Sequence, residues 1–200
     1  MRHLVVLAHP DPASFNAAAA HAYAAAVESC GHRATLRDLY AQDFDPRLTA
    51  RELPWRPDFA PGADAAGERA MVREADVIAF VYPLWFNAPP AILKGYVERV
   101  MGPGCGYAQD DAGPWPLLTG KALVSVTTSG APGAWVDQTG ALELLKAGFD
   151  RHVAAVCGLS VLEHLHLGGV TPGIRADAAR AMLDEVSAMA RRLFALADAR

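Results

Sequence analysis

The chain has 200 residues, 52% of them hydrophobic and 20% charged, with 18 Lys and Arg against 22 Asp and Glu for a formal net charge of −4. That size suits one domain whose core stands without disulfides or structural metal, and the balance excludes disorder and gives no electrostatic reason to approach nucleic acid or anionic lipid. Three cysteines, Cys30, Cys105 and Cys157, are an odd number without Cys-x-x-Cys spacing, so a reducing compartment, by default the cytoplasm, is expected rather than a disulfide framework or zinc site.

The opening "MRHLVVLA" has a basic residue and then an apolar run, but the run is too short for a signal-peptide core, and His9-Pro10-Asp11-Pro12 stands where a cleavage site belongs. No stretch reaches membrane-spanning length, so a membrane protein is not expected. Leu4 to Ala8 reads as a strand buried on both faces, followed by an alanine-rich helix that Ser14 or Asn16 can cap and Gly31 closes. Arg33 to Leu39 alternates polar and apolar residues, as a strand nearer a sheet edge does.

Residues 40–63 hold too many prolines for a long element and too much apolar content for a linker, and so predict an ordered surface excursion. A helix over "DAAGERAMVREAD", the strand "VIAFVY", the turn "PLWFNAPP" and a helix over "AILKGYVERVM" follow, with Pro90 suited to open the last. The Gly- and Pro-rich "GPGCGYAQDDAGPWPLLTG" reads as a second loop. Beyond it come the strand "KALVSVTT", the turn "SGAPGAW", a helical region ending before Gly158, a strand from Ser160 to Leu167, and a final helix. In that helix Met182, Val186, Met189, Leu193 and Leu196 form one apolar stripe.

Strands alternating with helices predict an α/β protein. Its expected form is a single domain over residues 1–200, a doubly wound parallel sheet of about five strands with helices on both faces. Ligands of such sheets sit beyond the carboxyl ends of the strands. Three strand ends here carry unusual chemistry: "AHPDPASFN", "YPLWFNAPP" and "TTSGAPGAW".

The first of these lacks both the dinucleotide and the nucleoside-triphosphate glycine fingerprints, yet it ends at a helix N-terminus, where free N–H groups favour a phosphate. His9, Ser14 and Asn16 can add side-chain donors, or Ser14 can simply cap the helix and His9 close a turn. The second places Trp85 and Phe86 on a proline-stiffened turn fit to shield a flat heteroaromatic ring, or to pack in the core. The third has small residues whose N–H groups can approach a planar ligand and stabilise negative charge.

Together "AHPDPASFN", "YPLWFNAPPAILKGYVERV" and "GKALVSVTTSG", with "FDP" at Phe44 to Pro46, resemble the NAD(P)H:quinone oxidoreductase family of flavodoxin-like proteins. The likeness runs along most of the chain and is weakest after Gly158. It implies a flavoprotein, usually a homodimer with its site at the subunit interface, that takes a hydride from NAD(P)H and passes it to a quinone. The "SFN" triplet favours FAD, with FMN as the alternative.

By the same resemblance His9, Ser14, Phe15, Asn16 and Ala18 surround the flavin phosphates, Pro83, Leu84, Trp85 and Phe86 meet the ring, and Thr127, Thr128, Ser129 and Gly130 lie along its other side. Tyr107 lines the substrate pocket, so Tyr107, Ser129 and Gly130 are the expected catalytic positions. Trp135 and Ala141 stand where DT-diaphorase has a tyrosine and a histidine proposed to relay protons, and Asn87 replaces an aromatic residue, making the pocket more polar. Hydride transfer is expected to be retained, with protonation from water.

Two features fall outside the resemblance. His164 and His166 share a strand face but show no third ligand, so no metal is expected, and Cys105 is a reactive thiol or an ordinary loop residue. Two other functions stay open. One is a flavodoxin-like one-electron carrier, against which the mild acidity and the aromatic loop argue; the other is an ancillary regulatory subunit of an ion-efflux system.

Overall fold

A computed structural model describes residues 1–110 and 113–195. Five parallel strands, β1 (Arg2–Leu7), β2 (Arg33–Asp38), β3 (Val77–Pro83), β6 (Ala122–Ser129) and β7 (Ser160–Gly168), form one sheet in the order β2-β1-β3-β6-β7. The strand predicted near an edge, β2, is an edge strand. Strand order reverses between β1 and β3, which opens a crevice at their carboxyl ends.

Alternation along the strands divides the core in two. Leu4 and Val6 of β1 and Ile78, Phe80 and Tyr82 of β3 face helices α2 (Ala63–Glu74) and α3 (Ala91–Val100). Val5, Leu7, Val77, Ala79 and Val81 face α1 (Phe15–Ser29) and α7 (Ala176–Phe194). Each of the larger of these side chains contributes about 1.5–3 kcal/mol by leaving water. The alanines of α1 let it lie close to the sheet, and Ser14 caps it, accepting from the Ala17 N–H at 3.1 Å. The α7 stripe packs inward through Val186 and Met189; Leu196 lies outside the described residues.

The stretch read as a loop after α3 contains a hairpin, β4 (Tyr107–Asp110) with β5 (Gly113–Pro116). Prolines in and beside the pair hid it, and they are tolerated because both strands are edges. The helical region before Gly158 is broken into α4 (Gly133–Gln138), α5 (Ala141–Leu145), a wide π-type turn over Lys146–Arg151, and α6 (His152–Cys157).

The excursion after β2 is ordered by charge and by one bare spot. Arg99 of α3 donates to Glu52 Oε1 at 2.9 Å, to both Asp64 oxygens at 2.7 and 2.8 Å, and to the Asp45 carbonyl. A Cβ on Gly95 would stand 2.2 Å from the Pro46 carbonyl oxygen, so the "FDP" and "PPAILKG" segments touch where α3 has no side chain.

Candidate functional site

The three chemistry-bearing loops leave the carboxyl ends of adjacent strands β1, β3 and β6 and meet. His9, Phe15, Asn16, Pro83, Leu84, Trp85, Thr128, Ser129 and Gly130 line one cavity of about 170 Å³, and Val170 is its one unanticipated wall residue. Val170 follows the adjacent strand β7, and its N–H donates to the Ser129 carbonyl at 2.9 Å. The strand-end rule pointed to that loop, but its residues "GGV" carry no chemistry of their own.

Asn16 and Thr128 join the first loop to the third. The Asn16 amide donates to Thr128 Oγ1 at 3.0 Å, and the Thr128 hydroxyl lies 3.2 Å from Asn16 Oδ1, with both residues buried. Asn16 thus positions the start of α1 and spends its amide within the chain. The first-turn N–H groups of Phe15 and Asn16 have no hydrogen-bond partner among the described residues, as is usual for a first helical turn, and lie at the positive end of the helix dipole. Ala18 sits in that turn, bonded to the Ser14 carbonyl. His9 accepts from the Asp11 N–H at 3.0 Å and sets its ring 6.1 Å from that of Trp85.

Trp85 and Ala88 exchange backbone hydrogen bonds at 3.1 Å around a two-residue turn in which Phe86 and Asn87 both take positive φ, 51° and 57°. That conformation disfavours a bulky side chain. It leaves Phe86 wholly exposed and Trp85 43% exposed at the cavity mouth, so neither is a core residue. Asn87 does not make the cavity polar: its amide donates to the Ala141 carbonyl at 3.0 Å and fastens this turn to α5.

Two expected contacts change. Thr127 does not point its side chain at the loop cluster; strand alternation turns it to the opposite face from Thr128, where it meets His164 and His166. Tyr107 is not in this cavity either. It lines a separate cleft of about 620 Å³ beside Met101, Phe149 and Cys157, and burial, reinforced by Cys157, raises its pKa. Cys105 is buried with its pKa raised, first by burial, which makes it an inert thiol. Among the described residues no cluster could hold a metal ion, and no helix is long and apolar enough to cross a membrane.

The donor set fits a flavin: free helix N–H groups for a phosphate, aromatic faces at the mouth, and Phe86, Asn87 and Gly130 N–H groups without partners among the described residues.

A model of the flavodoxin-like fold family matches residues 1–190. The chain is 35% identical over 132 residues to an uncharacterized NAD(P)H oxidoreductase of Haemophilus influenzae, an alignment covering 66% of this chain and 65% of that protein, so it spans slightly under two thirds of that relative. It is 30% identical over 201 residues to NAD(P)H dehydrogenase (quinone) 1 of Cavia porcellus, covering 88% and 72%. The NAD(P)H:quinone oxidoreductase of Methanothermobacter marburgensis superposes with a TM-score of 0.85 at 25% identity, over 96% of each chain. With this fold, and with the anticipated loop residues around one cavity, the chain belongs to the flavodoxin-like-fold family, among its NAD(P)H:quinone oxidoreductases.

Proposed function

We propose that the protein is a flavin-dependent NAD(P)H dehydrogenase that passes a hydride from NAD(P)H to a quinone or similar acceptor. The observation that carries this reading is the cavity itself, assembled from three distant segments whose chemistry suits one ligand. When bound, the flavin supplies the two-electron chemistry. The N-terminus of α1 would receive its phosphate, Trp85 and Phe86 would shield the ring from water, and the Gly130 N–H would meet developing negative charge. On the "SFN" resemblance the flavin is FAD, with FMN the alternative.

The 200 residues act as one domain in this reading, and the active form is a homodimer. A cavity of about 170 Å³ falls below the roughly 300–1,000 Å³ usual for an enclosed ligand. Phe86 stands exposed beside the cavity-lining Trp85, and Trp135 and Leu144 are exposed as well. A second copy would cover the ring and bring its own Tyr107 to the acceptor. Three free thiols suit the cytoplasm.

The purified protein is expected to be yellow, to release FAD on heating, and to reduce a benzoquinone with NADH or NADPH. A protein that takes up no added flavin, or a loaded protein inert to both nicotinamides, overturns the reading.

A further inference from the structure

The polar residues of β6 and β7 form a continuous hydrogen-bonded chain on the sheet face that carries Phe80 and Tyr82. Ser125 Oγ donates to Asp150 Oδ1 at 3.1 Å, and Asp150 Oδ2 meets His164 Nδ1. His164 Nε2 lies 2.8 Å from Thr127 Oγ1, Thr127 Oγ1 lies 2.9 Å from His166 Nδ1, and His166 Nε2 lies 3.0 Å from Ser129 Oγ. Ser129 Oγ closes the chain on the Ala131 carbonyl at 2.9 Å. Asp150 is 1% exposed, Ser125 and Thr127 are fully buried, and Ser129 is a wall of the loop cavity. The wide turn over Lys146–Arg151 aims Asp150 inward directly after the buried Phe149.

Counting hydrogens sets the state of this chain. Its six contacts need one hydrogen each. Three hydroxyls and two neutral imidazoles supply only five. The Ala131 carbonyl can only accept, so Ser129 donates to it and must accept from His166 Nε2–H. His166 Nδ1 is then bare and accepts from Thr127, which in turn accepts from His164 Nε2–H. With all six contacts bonded, the count leaves the sixth hydrogen to the contact between Asp150 and His164 Nδ1.

We propose that this chain is a proton store and relay that ends at Ser129 and delivers one proton to the acceptor at the loop cavity. The inference rests on the quinone-reductase reading, in which a quinone takes up one proton beyond the hydride. When the Ser129 hydroxyl turns from the Ala131 carbonyl and its proton leaves for the acceptor oxygen, Ser129 takes the His166 Nε2 proton, His166 Nδ1 takes the Thr127 proton, and Thr127 takes the His164 Nε2 proton. The pair loses one proton, the acceptor gains one, and every residue between keeps its count, with His166 left as its other tautomer. Solvent at the cavity mouth refills the store along the same route in reverse. The relay would serve where Trp135 and Ala141 offer no proton-transferring side chain, carrying to the acceptor a proton that water ultimately replenishes.

The surroundings agree with this assignment. Burial and then His164 hold His166 below the usual imidazole range, with Lys146 acting in the same sense and Asp137 opposing, so His166 rests neutral between transfers. Tyr82, which faces Asp150 from β3, stays protonated because burial and then Asp150 raise its pKa.

The test is ¹⁵N NMR of the imidazoles in the purified full chain at pH 7, which needs no turnover and so stands apart from the quinone-reductase reading. His166 is expected as the Nε2–H tautomer with a bare Nδ1, and His164 with a proton on Nε2. His166 carrying its proton on Nδ1 overturns the proposal. In benzoquinone turnover, Thr127→Val is expected to lower kcat by about 10²-fold, with flavin content and the KM for NAD(P)H unchanged. Thr127→Ser should restore it. A Thr127→Val protein with wild-type kcat and pH profile, or equal loss in both variants, also overturns the relay.

Discussion

The latch between the first and third loops is open to a direct perturbation. Thr128→Val keeps the shape of the side chain and deletes the hydroxyl that serves both the amide nitrogen and the amide oxygen of Asn16. Because Asn16 is 3% and Thr128 2% exposed, water cannot take over that role. A buried amide left without partners costs about 1–3 kcal/mol, more than the net worth of the bond itself. For a chain of this size each kcal/mol moves Tm by about 2–4 °C, so a fall of roughly 4–8 °C is expected from a cost near 2 kcal/mol. The assay is thermal unfolding of Thr128→Val, Asn16→Ala and the double variant. Deleting the amide as well removes the orphan, so the two effects should fall short of additive by about 0.5–3 kcal/mol. Flavin affinity should fall with stability, because the same bond sets the first turn of α1. An unchanged Tm, or strictly additive losses, would refute the latch.

Three further outcomes follow from the packing. Burial, with help from His32 and the N-terminal ammonium and against the pull of Asp76, lowers the His3 pKa to about 4. The unfolded chain therefore binds the proton first, and stability present above about pH 6.5 should be lost as pH falls toward 4, on the order of 3 kcal/mol in urea unfolding. His3→Leu should flatten that slope. Arg99→Met leaves the buried Glu52 carboxylate without its cation, and urea titration should show a loss of about 3–5 kcal/mol. Gly95→Ala pushes a methyl into the Pro46 backbone and should cost about 1–3 kcal/mol by thermal unfolding; an unshifted midpoint would disprove the contact.

The parallel sheet and the cavity were legible because both follow from pattern. Unbroken apolar strands such as "VIAFVY" declare themselves parallel and central, and the rule that ligands gather at carboxyl ends groups His9, Trp85 and Gly130 without any contact being known. Side-chain direction was harder. Thr127 and Thr128 are adjacent and chemically alike, and only the register of β6 tells which faces Asn16, since one step along a strand reverses the face. Asp150 was invisible for another reason: it sits in a π-type turn, where helical periodicity no longer says which residues point inward. His164 and His166 were correctly placed on one face, but spacing does not show that their ring nitrogens are already engaged.

The contact between Gly95 and Pro46 divides the surface excursion into two regimes. Phe44 to Pro46 are pinned to α3, whereas Leu48 to Trp55 edge the larger cleft where Tyr107 lies. Moored at Pro46 and again at Glu52, which Arg99 holds, the outer stretch leaves exposed side chains such as Leu48 and Trp55 free to be exchanged while the sheet beneath stays as it is. Chains of this design can therefore reline that cleft by exchanging side chains such as Leu48 and Trp55, with no rebuilding of the sheet beneath.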